Sequence, residues 1–149
     1  YLTRKNAYYR KIINESDLFD ILKSKKFKIV DLDVLSIHEQ IDVFSSAETI
    51  ISPTSSTLAN IVFCNAGTKI FEIIPRYKHQ YEKHLKSRYS DICNFLSCEY
   101  HSLTADPIPI DVLDENTKRF IDLKIINQSS YYMNLLVNKN SFRKFVNEI

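Results

Sequence analysis

The segment from Glu48 to Pro75 reads ETIISPTSSTLANIVFCNAGTKIFEIIP and decides the fold. Its first run, Thr49–Ile51, is apolar on successive positions, which is typical of a strand that is covered on both faces. A helix is expected to begin near Ser55, and Gly67, the one glycine of the chain, can end it by adopting a positive φ. Residues Ile70–Ile74 then predict a second strand, so the segment encodes a strand, a helix and a strand.

The same alternation continues on the N-terminal side of this segment. Leu2–Arg4 and Phe27–Val30 predict strands, and the helix between them is expected to be capped by Asn14. Residues 36–39 match the capping box S-x-x-E, which predicts a helix from there to about Ser46. Strands that alternate with helices indicate an α/β fold, here a doubly wound, mostly parallel sheet covered on both faces.

The C-terminal part of the chain carries weaker signals. Three elements are expected, a polar helix, a strand and an edge strand or extended segment, over His79–Arg88, Ile92–Ser97 and Ser130–Val137. Asp106-Pro107-Ile108-Pro109 cannot form a central strand, because proline lacks a backbone donor. Asn140 or Ser141 should cap a final helix that ends at Ile149.

The length of 149 residues fits a single domain over residues 1–149, with residues 100–149 as an extension that packs on it. The first predicted strand starts at once, at Tyr1, and no Met precedes it. We therefore expect the chain to be a fragment of a longer protein.

The totals exclude several functional classes. The formal net charge of +2 is too small to favour nucleic acid or an anionic membrane surface as a partner. No apolar run approaches the ~18 residues of a membrane span. Three cysteines without paired spacing argue against a disulfide framework. A single glycine rules out glycine-rich phosphate loops, so any phosphate site must use hydroxyl groups and a helix start.

Polar residues follow the predicted strands and should converge on the carboxyl edge of the sheet, where ligands bind in such folds. The turn Thr54-Ser55-Ser56-Thr57 could offer hydroxyls and helix N–H groups to a diphosphate, or could simply cap the helix. Arg4 and Lys5 could neutralise phosphate charge, or could form a solvated basic turn. Glu72 could accept hydrogen bonds from ribose hydroxyls, or could face outward or join a structural ion pair.

Asp31-Leu32-Asp33 matches the D-x-D pattern with which some sugar transferases hold a divalent metal, and carboxylate oxygens suit Mg²⁺ or Mn²⁺. The alternative is a solvated turn, because so short a pattern is common by chance. Asp31 at a strand end is also typical of a response-regulator switch, but the acidic cluster of such switches is missing from the sequence. The four histidines have no zinc-ligand spacing.

The joint order of several motifs resembles the C-terminal region of the family 61 glycosyltransferases (the DUF563 family), which include capsular polysaccharide enzymes. The opening pattern Y-x-S-R-x-x-A…R…N-E corresponds to Tyr1-Leu2-Thr3-Arg4-Lys5-Asn6-Ala7, Arg10 and Asn14-Glu15. The pattern L-S-x-x-E-Q corresponds to Leu35-Ser36-Ile37-His38-Glu39-Gln40. Further matches are Ser45-Ser46-Ala47-Glu48, Leu58-Ala59-Asn60, Phe63-Cys64, and Ala66-Gly67-Thr68-Lys69 through Glu72 and Pro75. The resemblance covers residues 1 to about 90.

The chain departs from the family at one place. Many members carry H-G-A-G before the L-x-N motif, where this chain has Thr54-Ser55-Ser56-Thr57. A glycine allows a ligand to approach the backbone closely, and Ser and Thr do not. The departure implies either a donor site in which hydroxyls replace close N–H contacts, which we favour, or a loss of activity.

The resemblance implies a Rossmann-like fold that forms the C-terminal, donor-binding half of a GT-B glycosyltransferase. Such a half binds a nucleotide-diphosphate sugar, expected to be UDP-linked, and a hexosyl or pentosyl group passes to a glycan acceptor in polysaccharide biosynthesis. The expected donor-binding residues are Arg4, Lys5, Thr54, Ser55, Ser56, Thr57, Asn60 and Glu72.

The resemblance also implies no metal and no cofactor. The catalytic base would come from an N-terminal domain missing from this chain, so the fragment alone should be inactive. We expect a cytoplasmic, bacterial location, with any membrane association through partners. The alternative function is a non-catalytic α/β scaffold module of a polysaccharide-assembly complex, with a decayed donor site.

Overall fold

The computed structural model describes residues 1–7, 9–76, 81–108, 115 and 134–148, and for residues 81–86 it describes the backbone. The helices in this part of the chain are α1 Ser16–Ser24, α2 Ile37–Ser45, a 3₁₀ helix Ser56–Phe63, α3 Tyr81–Phe95 and α4 Lys139–Val146. The strands are β1 Thr49–Pro53, β2 Lys69–Pro75, β3 Glu99–Pro107 and β4 Leu135–Leu136.

The four strands form one sheet in the order β1-β2-β3-β4. The strands β1, β2 and β3 are parallel, and β4 runs antiparallel to β3. The predicted mixed α/β fold with a mostly parallel sheet is therefore confirmed. Ser52, Glu72 and Ser102 are paired in register across the three parallel strands, which places them side by side on one face.

The N-terminal residues extend the sheet beyond β1. Leu2 forms a parallel bridge with Val30, and its N–H donates to the carbonyl of Ile51 in β1 at 2.8 Å. The segment around Leu2 thus lies between Val30 and β1. The chain therefore continues to one side of Leu2 at Val30 and to the other side at β1, so the strand order reverses there. At the opposite side, Ile12 forms a parallel bridge with Leu135 of β4. The strands predicted over residues 2–4 and 27–30 are reduced to the single bridge between Leu2 and Val30.

Apolar side chains pack against both faces of the sheet because successive strand residues point to opposite sides. One face meets α1 and α4 in a cluster that includes Leu18, Leu22, Ile51, Phe71, Ile73, Phe142 and Val146. The other face meets α2, the 3₁₀ helix and α3 in a cluster that includes Phe44, Ile50, Leu58, Ile61, Ile70, Tyr89 and Cys93. Helices therefore cover both faces, as the sequence predicts.

A buried carboxylate joins the first residues of the chain to α1. Glu15 is 8% exposed, and its two oxygens accept hydrogen bonds from the hydroxyls of Tyr1 and Thr3, each at 2.7 Å. Both oxygens of this buried group are thus satisfied, as burial requires. The contact fixes where the chain leaves the sheet after Thr3.

Asn14 does not cap α1 as predicted. Its side chain instead pairs with the backbone of Val137, donating to the carbonyl at 2.8 Å and accepting from the N–H at 3.1 Å. The helix begins after Glu15, which holds the N-cap position. The prediction was wrong because a contact across 123 residues has no local sequence signal.

The L-S-x-x-E-Q motif of residues 35–40 makes contacts within the scaffold. The capping box at Ser36 and Glu39 is confirmed, with both reciprocal hydrogen bonds present. Gln40 donates to the carbonyls of Leu32 and Leu35 at 3.1 and 3.2 Å and accepts from Asn60 at 3.0 Å. The motif thereby ties α2 to the 3₁₀ helix that follows β1.

Two of the C-terminal predictions are wrong, and the end of the strand at Pro107 needs a closer description. The strand expected over Ile92–Ser97 is wrong, since α3 continues to Phe95 and the strand begins at Glu99. Asp106 and Pro107 do belong to a strand, at the end of β3, where they pair with β4 after the pairing with β2 has ended. The final helix is capped by Asn138, whose side chain accepts from the Ser141 N–H at 3.0 Å.

Other predictions for this region are confirmed in part. The helix expected over residues 79–88 is present from Tyr81 onward, and residues 79 and 80 lie outside the described residues. Leu135–Leu136 form a strand, and residues 130–133 lie outside the described residues. In the described part of the chain, no helix is long and apolar enough to cross a membrane.

We predict that Asn14→Ala lowers the free energy of unfolding by about 2 kcal/mol, since two hydrogen bonds are lost and the backbone of buried Val137 is left unpaired. Asn6→Ala is the matched control. It also removes an Asn side-chain hydrogen bond, but one to Asp31 that is exposed, so the change should stay within about 0.5 kcal/mol. Urea unfolding measures both values, and equal losses in the two variants would contradict the assigned role of Asn14.

Candidate functional site

Residues 4–7 and 9–11 form a crossing segment over one edge of the sheet. The segment leaves its place beside β1 after Thr3 and rejoins the sheet at Ile12, next to β4. Because β4 runs antiparallel and begins beside Pro107, the end of β3, this edge is the carboxyl edge of the parallel strands. Ligands bind at this edge in open α/β sheets, and at the point where the strand order reverses.

Two arginines of the crossing segment flank one tyrosine. The guanidinium of Arg4 donates to the Tyr9 carbonyl at 3.3 Å and lies 5.9 Å from the centre of its ring. The guanidinium of Arg10 lies 4.9 Å from the same ring centre. Burial and the charge of Arg10 lower the pKa of Arg4. The two cations therefore stand close enough to repel each other.

Arg10 is held in an unusual way for a charged residue. It is 5% exposed and has a φ of 55°, in the left-handed region that favours glycine. Strained backbone of this kind concentrates at functional sites. The charge of Arg10 also helps to lower the pKa of Glu72 in β2, so the two side chains lie near each other.

Glu72 is the one fully buried carboxylate among the described residues. The hydroxyl of Tyr100, on the neighbouring strand β3, donates to its Oε2 at 2.5 Å. Its Oε1 has no hydrogen-bond partner of normal geometry in the described part of the chain. Burial raises the pKa of Glu72 above its usual value. The groups that act in the opposite direction are Thr54, Tyr100, Arg88 and Arg10.

A third arginine reaches the same place from α3. The guanidinium of Arg88 donates to the Thr54 hydroxyl at 3.3 Å and lies 4.4 Å from the centre of the Tyr89 ring. The Tyr89 hydroxyl donates to the Ser55 carbonyl at 2.5 Å. These contacts dock α3 on the turn that follows β1, with the Arg88 side chain exposed at the edge.

The four hydroxyl residues of this turn have different surroundings. Thr54 and Ser55 are fully buried, whereas Ser56 is exposed at the start of the 3₁₀ helix. The Ser55 and Thr57 hydroxyls lie 2.5 Å apart and bond to each other. Within the described residues the Ser55 side chain makes no capping bond to the helix, so simple capping by Ser55 does not explain its presence.

Two of the predicted donor-binding residues lie with structural partners. The Lys5 ammonium is 4.0 Å from an oxygen of Asp31, and 63% of its side chain is exposed. The Asn60 side chain donates to Gln40 and so faces α2. The structure brings Thr54 and Glu72 together, places Arg4 beside Arg10 and Tyr9, and gives Lys5 and Asn60 other contacts.

The D-x-D residues have local partners instead of a shared ligand site. One oxygen of Asp31 accepts from the Asp33 N–H at 3.2 Å, and the other accepts from Asn6 at 3.0 Å. Among the described residues, no group of three His, Cys, Asp or Glu side chains could hold a metal ion. Asp31 therefore caps a short 3₁₀ turn and anchors the start of the crossing segment.

Sequence reasoning did not assign three residues of this site. Arg10 lies in the same opening motif as Arg4, and this shared motif was the available signal. Arg88 belongs to a helix predicted as polar and basic, which gave no reason to select one cation. Tyr100 had no usable signal, because the sequence predicted the strand over residues 92–97 and so left Tyr100 beyond it.

The arrangement suits a particular kind of ligand. Arg10 and Arg88 act on the Glu72 carboxylate, and Arg4 lies beside Arg10 with Asp33 as a nearby carboxylate, so guanidinium groups outnumber carboxylates here. Guanidinium groups bind phosphates with paired hydrogen bonds, and Glu72 can accept from a hydroxyl. An anion that also carries hydroxyl groups matches both properties.

Comparison with known proteins gives a family match for the N-terminal part of the chain. Residues 1–71 match the family model Glycosyltransferase 61. No curated protein sequence matches the chain significantly. The matched range contains the crossing segment, Arg4, Arg10 and the Thr54–Thr57 turn. Residues 1–71 are therefore similar to the family 61 glycosyltransferases, a family whose reaction involves a sugar donor and an acceptor.

Proposed function

We propose that the carboxyl edge binds the nucleotide-diphosphate part of a sugar donor, UDP-linked, whose sugar passes to a glycan. The observation that carries this proposal is the position of Arg10 and Arg88 around buried Glu72, with Arg4 beside Arg10. The chain would form the Rossmann-like donor half of a GT-B enzyme, and the catalytic base would belong to another domain. Hexosyl and pentosyl donors both remain within the proposal.

The arginines would hold the diphosphate and stabilise it as it leaves. Transfer of the sugar releases a nucleoside diphosphate, so negative charge develops on the bridging oxygen. Fixed positive groups at that position stabilise the transition state more than the ground state. Arg4 is held in place by its contacts with Tyr9, whereas Arg10, which is 5% exposed, would act on the diphosphate through its charge.

Glu72 would accept hydrogen bonds from the ribose, and the turn hydroxyls would add contacts to the diphosphate. A buried carboxylate oxygen without a partner is costly, and a ligand hydroxyl would remove that cost. Ser56 offers an exposed hydroxyl at the start of the 3₁₀ helix, where N–H groups are unpaired. Thr57, Ser55 and Thr54 line the same turn.

The scaffold alternative has less support. A module that only holds partners together has no need for strained, buried Arg10 beside a buried carboxylate, because both groups cost stability. Such costs are typical of functional sites. The family match also favours a glycosyltransferase.

We predict that Arg88→Ala weakens UDP binding by about tenfold to a hundredfold, since a charge-assisted contact to phosphate is worth about 1.5–3 kcal/mol. Arg88 is exposed, so the variant should fold. Arg143→Ala is the matched control, because Arg143 is an exposed helix arginine on α4, which packs on the other face of the sheet. Calorimetric titration of UDP measures both, and equal affinities in the two variants would remove Arg88 from the site.

We predict that UDP binding does not depend on a divalent metal, because the arginines supply the positive charge and Asp31 already has two local partners. Titrations with EDTA and with Mn²⁺ should give affinities within about twofold of each other. Asp31→Asn tests the alternative directly. Binding that Mn²⁺ strengthens in the wild type but not in Asp31→Asn would establish a D-x-D metal site.

A further inference from the structure

The two oxygens of the Glu72 carboxylate have different environments. The Tyr100 hydroxyl satisfies Oε2 at 2.5 Å, whereas Oε1 has no hydrogen-bond partner of normal geometry among the described residues. Glu72 is 0% exposed, so water does not replace the missing partner freely. Tyr100 thus bonds one oxygen, and the Thr54 hydroxyl lies close enough to lower the pKa of Glu72, but no hydrogen bond of normal geometry satisfies Oε1.

The position of the Tyr100 hydroxyl is fixed by the sheet. Tyr100 pairs with Ile70, two residues before Glu72, so both side chains project from the same face of neighbouring strands. The ring packs against the cluster that contains Ile70 and Cys93. Diagonal neighbours of this kind lie within reach of an aromatic side chain, and packing keeps the ring from turning away.

We propose that Tyr100 is a positioning residue, which holds Glu72 through Oε2 and leaves Oε1 as the acceptor for a hydroxyl group of the bound nucleotide. The inference rests on the proposed function. Tyr100 does not need to touch the ligand, since it acts through the carboxylate. Without its hydroxyl, a buried carboxylate with two unpaired oxygens would turn toward another donor, such as the neighbouring Arg88.

The protonation of Glu72 gives a readout that packing alone would not change. The groups that act on it from the surrounding elements are Thr54 of the β1 turn, Tyr100 of β3, Arg88 and Cys93 of α3, and Arg10 of the crossing segment. The Tyr100 hydrogen bond lowers the pKa of Glu72, so its removal raises that pKa further. If the ionised form accepts the ligand hydroxyl, affinity falls as pH drops through this pKa, and Tyr100→Phe moves the midpoint to higher pH.

The experiment compares UDP with 2′,3′-dideoxy-UDP, which keeps the base and the diphosphate but lacks both ribose hydroxyls. Calorimetric titration across a range of pH gives the ratio of the two affinities. The wild type should prefer UDP by about tenfold or more. In Tyr100→Phe this preference should fall by about tenfold, while binding of the dideoxy ligand stays within about twofold.

Tyr1→Phe is the matched control. Tyr1 also donates its hydroxyl to a buried carboxylate, that of Glu15, at 2.7 Å, and Thr3 still holds Glu15 in the variant. The control should lose stability without losing the preference for UDP. In a Glu72→Ala background, Tyr100→Phe should have no further effect on the preference, because no side-chain oxygen is left at residue 72 for Tyr100 to position.

The outcomes separate this inference from the proposed function. A wild type that binds neither ligand overturns the proposed function. A wild type that prefers UDP, with the same preference and the same pH midpoint in Tyr100→Phe, overturns the inference alone. If Tyr100→Phe does not fold, Glu72→Asp replaces it, since the shorter side chain withdraws the carboxylate from the Tyr100 hydroxyl. An unchanged preference for UDP in Glu72→Asp would then overturn the inference.

Discussion

The burial of the Glu72 carboxylate is the constraint on which the rest of this edge depends. A carboxylate in the middle of a parallel sheet loses its hydration, and that loss must be offset by hydrogen bonds and opposite charges. The neighbours supply both, with the Tyr100 hydroxyl on one oxygen and the charges of Arg88 and Arg10 nearby. The compensation is incomplete at Oε1, and the proposed function assigns this oxygen to a ligand hydroxyl.

The crossing segment supplies that compensation from outside the sheet. It is fixed at its start by Asp31 and by the Glu15 contacts, and at its end by the Leu135 N–H, which donates to the Lys11 carbonyl at 2.9 Å. Between these anchors, Arg10 takes a left-handed conformation that costs about 1–3 kcal/mol. A segment held at both ends can maintain such strain, whereas a free loop would relax. The scaffold contacts of the opening motif are therefore a condition for the charge of Arg10 at the edge.

The parts of the fold that could be predicted are those with local causes. The capping box at Ser36 and Glu39, the positive φ of Gly67 and the strands on either side of it follow from neighbours in sequence. The 3₁₀ geometry of residues 56–63 could not be predicted, because its apolar spacing also fits an α-helix. Within the site, Thr54 and Glu72 could be selected because they lie at or near strand ends.

The rest of the site depends on contacts between distant residues. Arg88 meets Thr54 across 34 residues and Tyr100 meets Glu72 across 28, and neither pair has a spacing that a sequence pattern encodes. Asn60 is a case in which a sequence motif suggested a ligand contact and the packing gives a different partner. Its place in a polar motif suggested a ligand contact, but its partner is Gln40, 20 residues away. Sequence patterns thus identify polar residues that matter, and the packing decides which of them face a ligand.

The altered turn at residues 54–57 can now be interpreted physically. The resemblance places histidine and glycines where this chain has hydroxyl residues, and glycine would matter most if the backbone needed a positive φ. Ser55 has a φ of −161°, which is extended backbone that any residue adopts, so the replacement introduces no strain there. The Thr54 hydroxyl accepts from Arg88 and helps to lower the pKa of Glu72. The Ser55 and Thr57 hydroxyls bond to each other, and the Thr54 hydroxyl connects Arg88 of α3 to the buried carboxylate. We therefore infer that Thr54 gives this turn a structural contact with α3 and with Glu72.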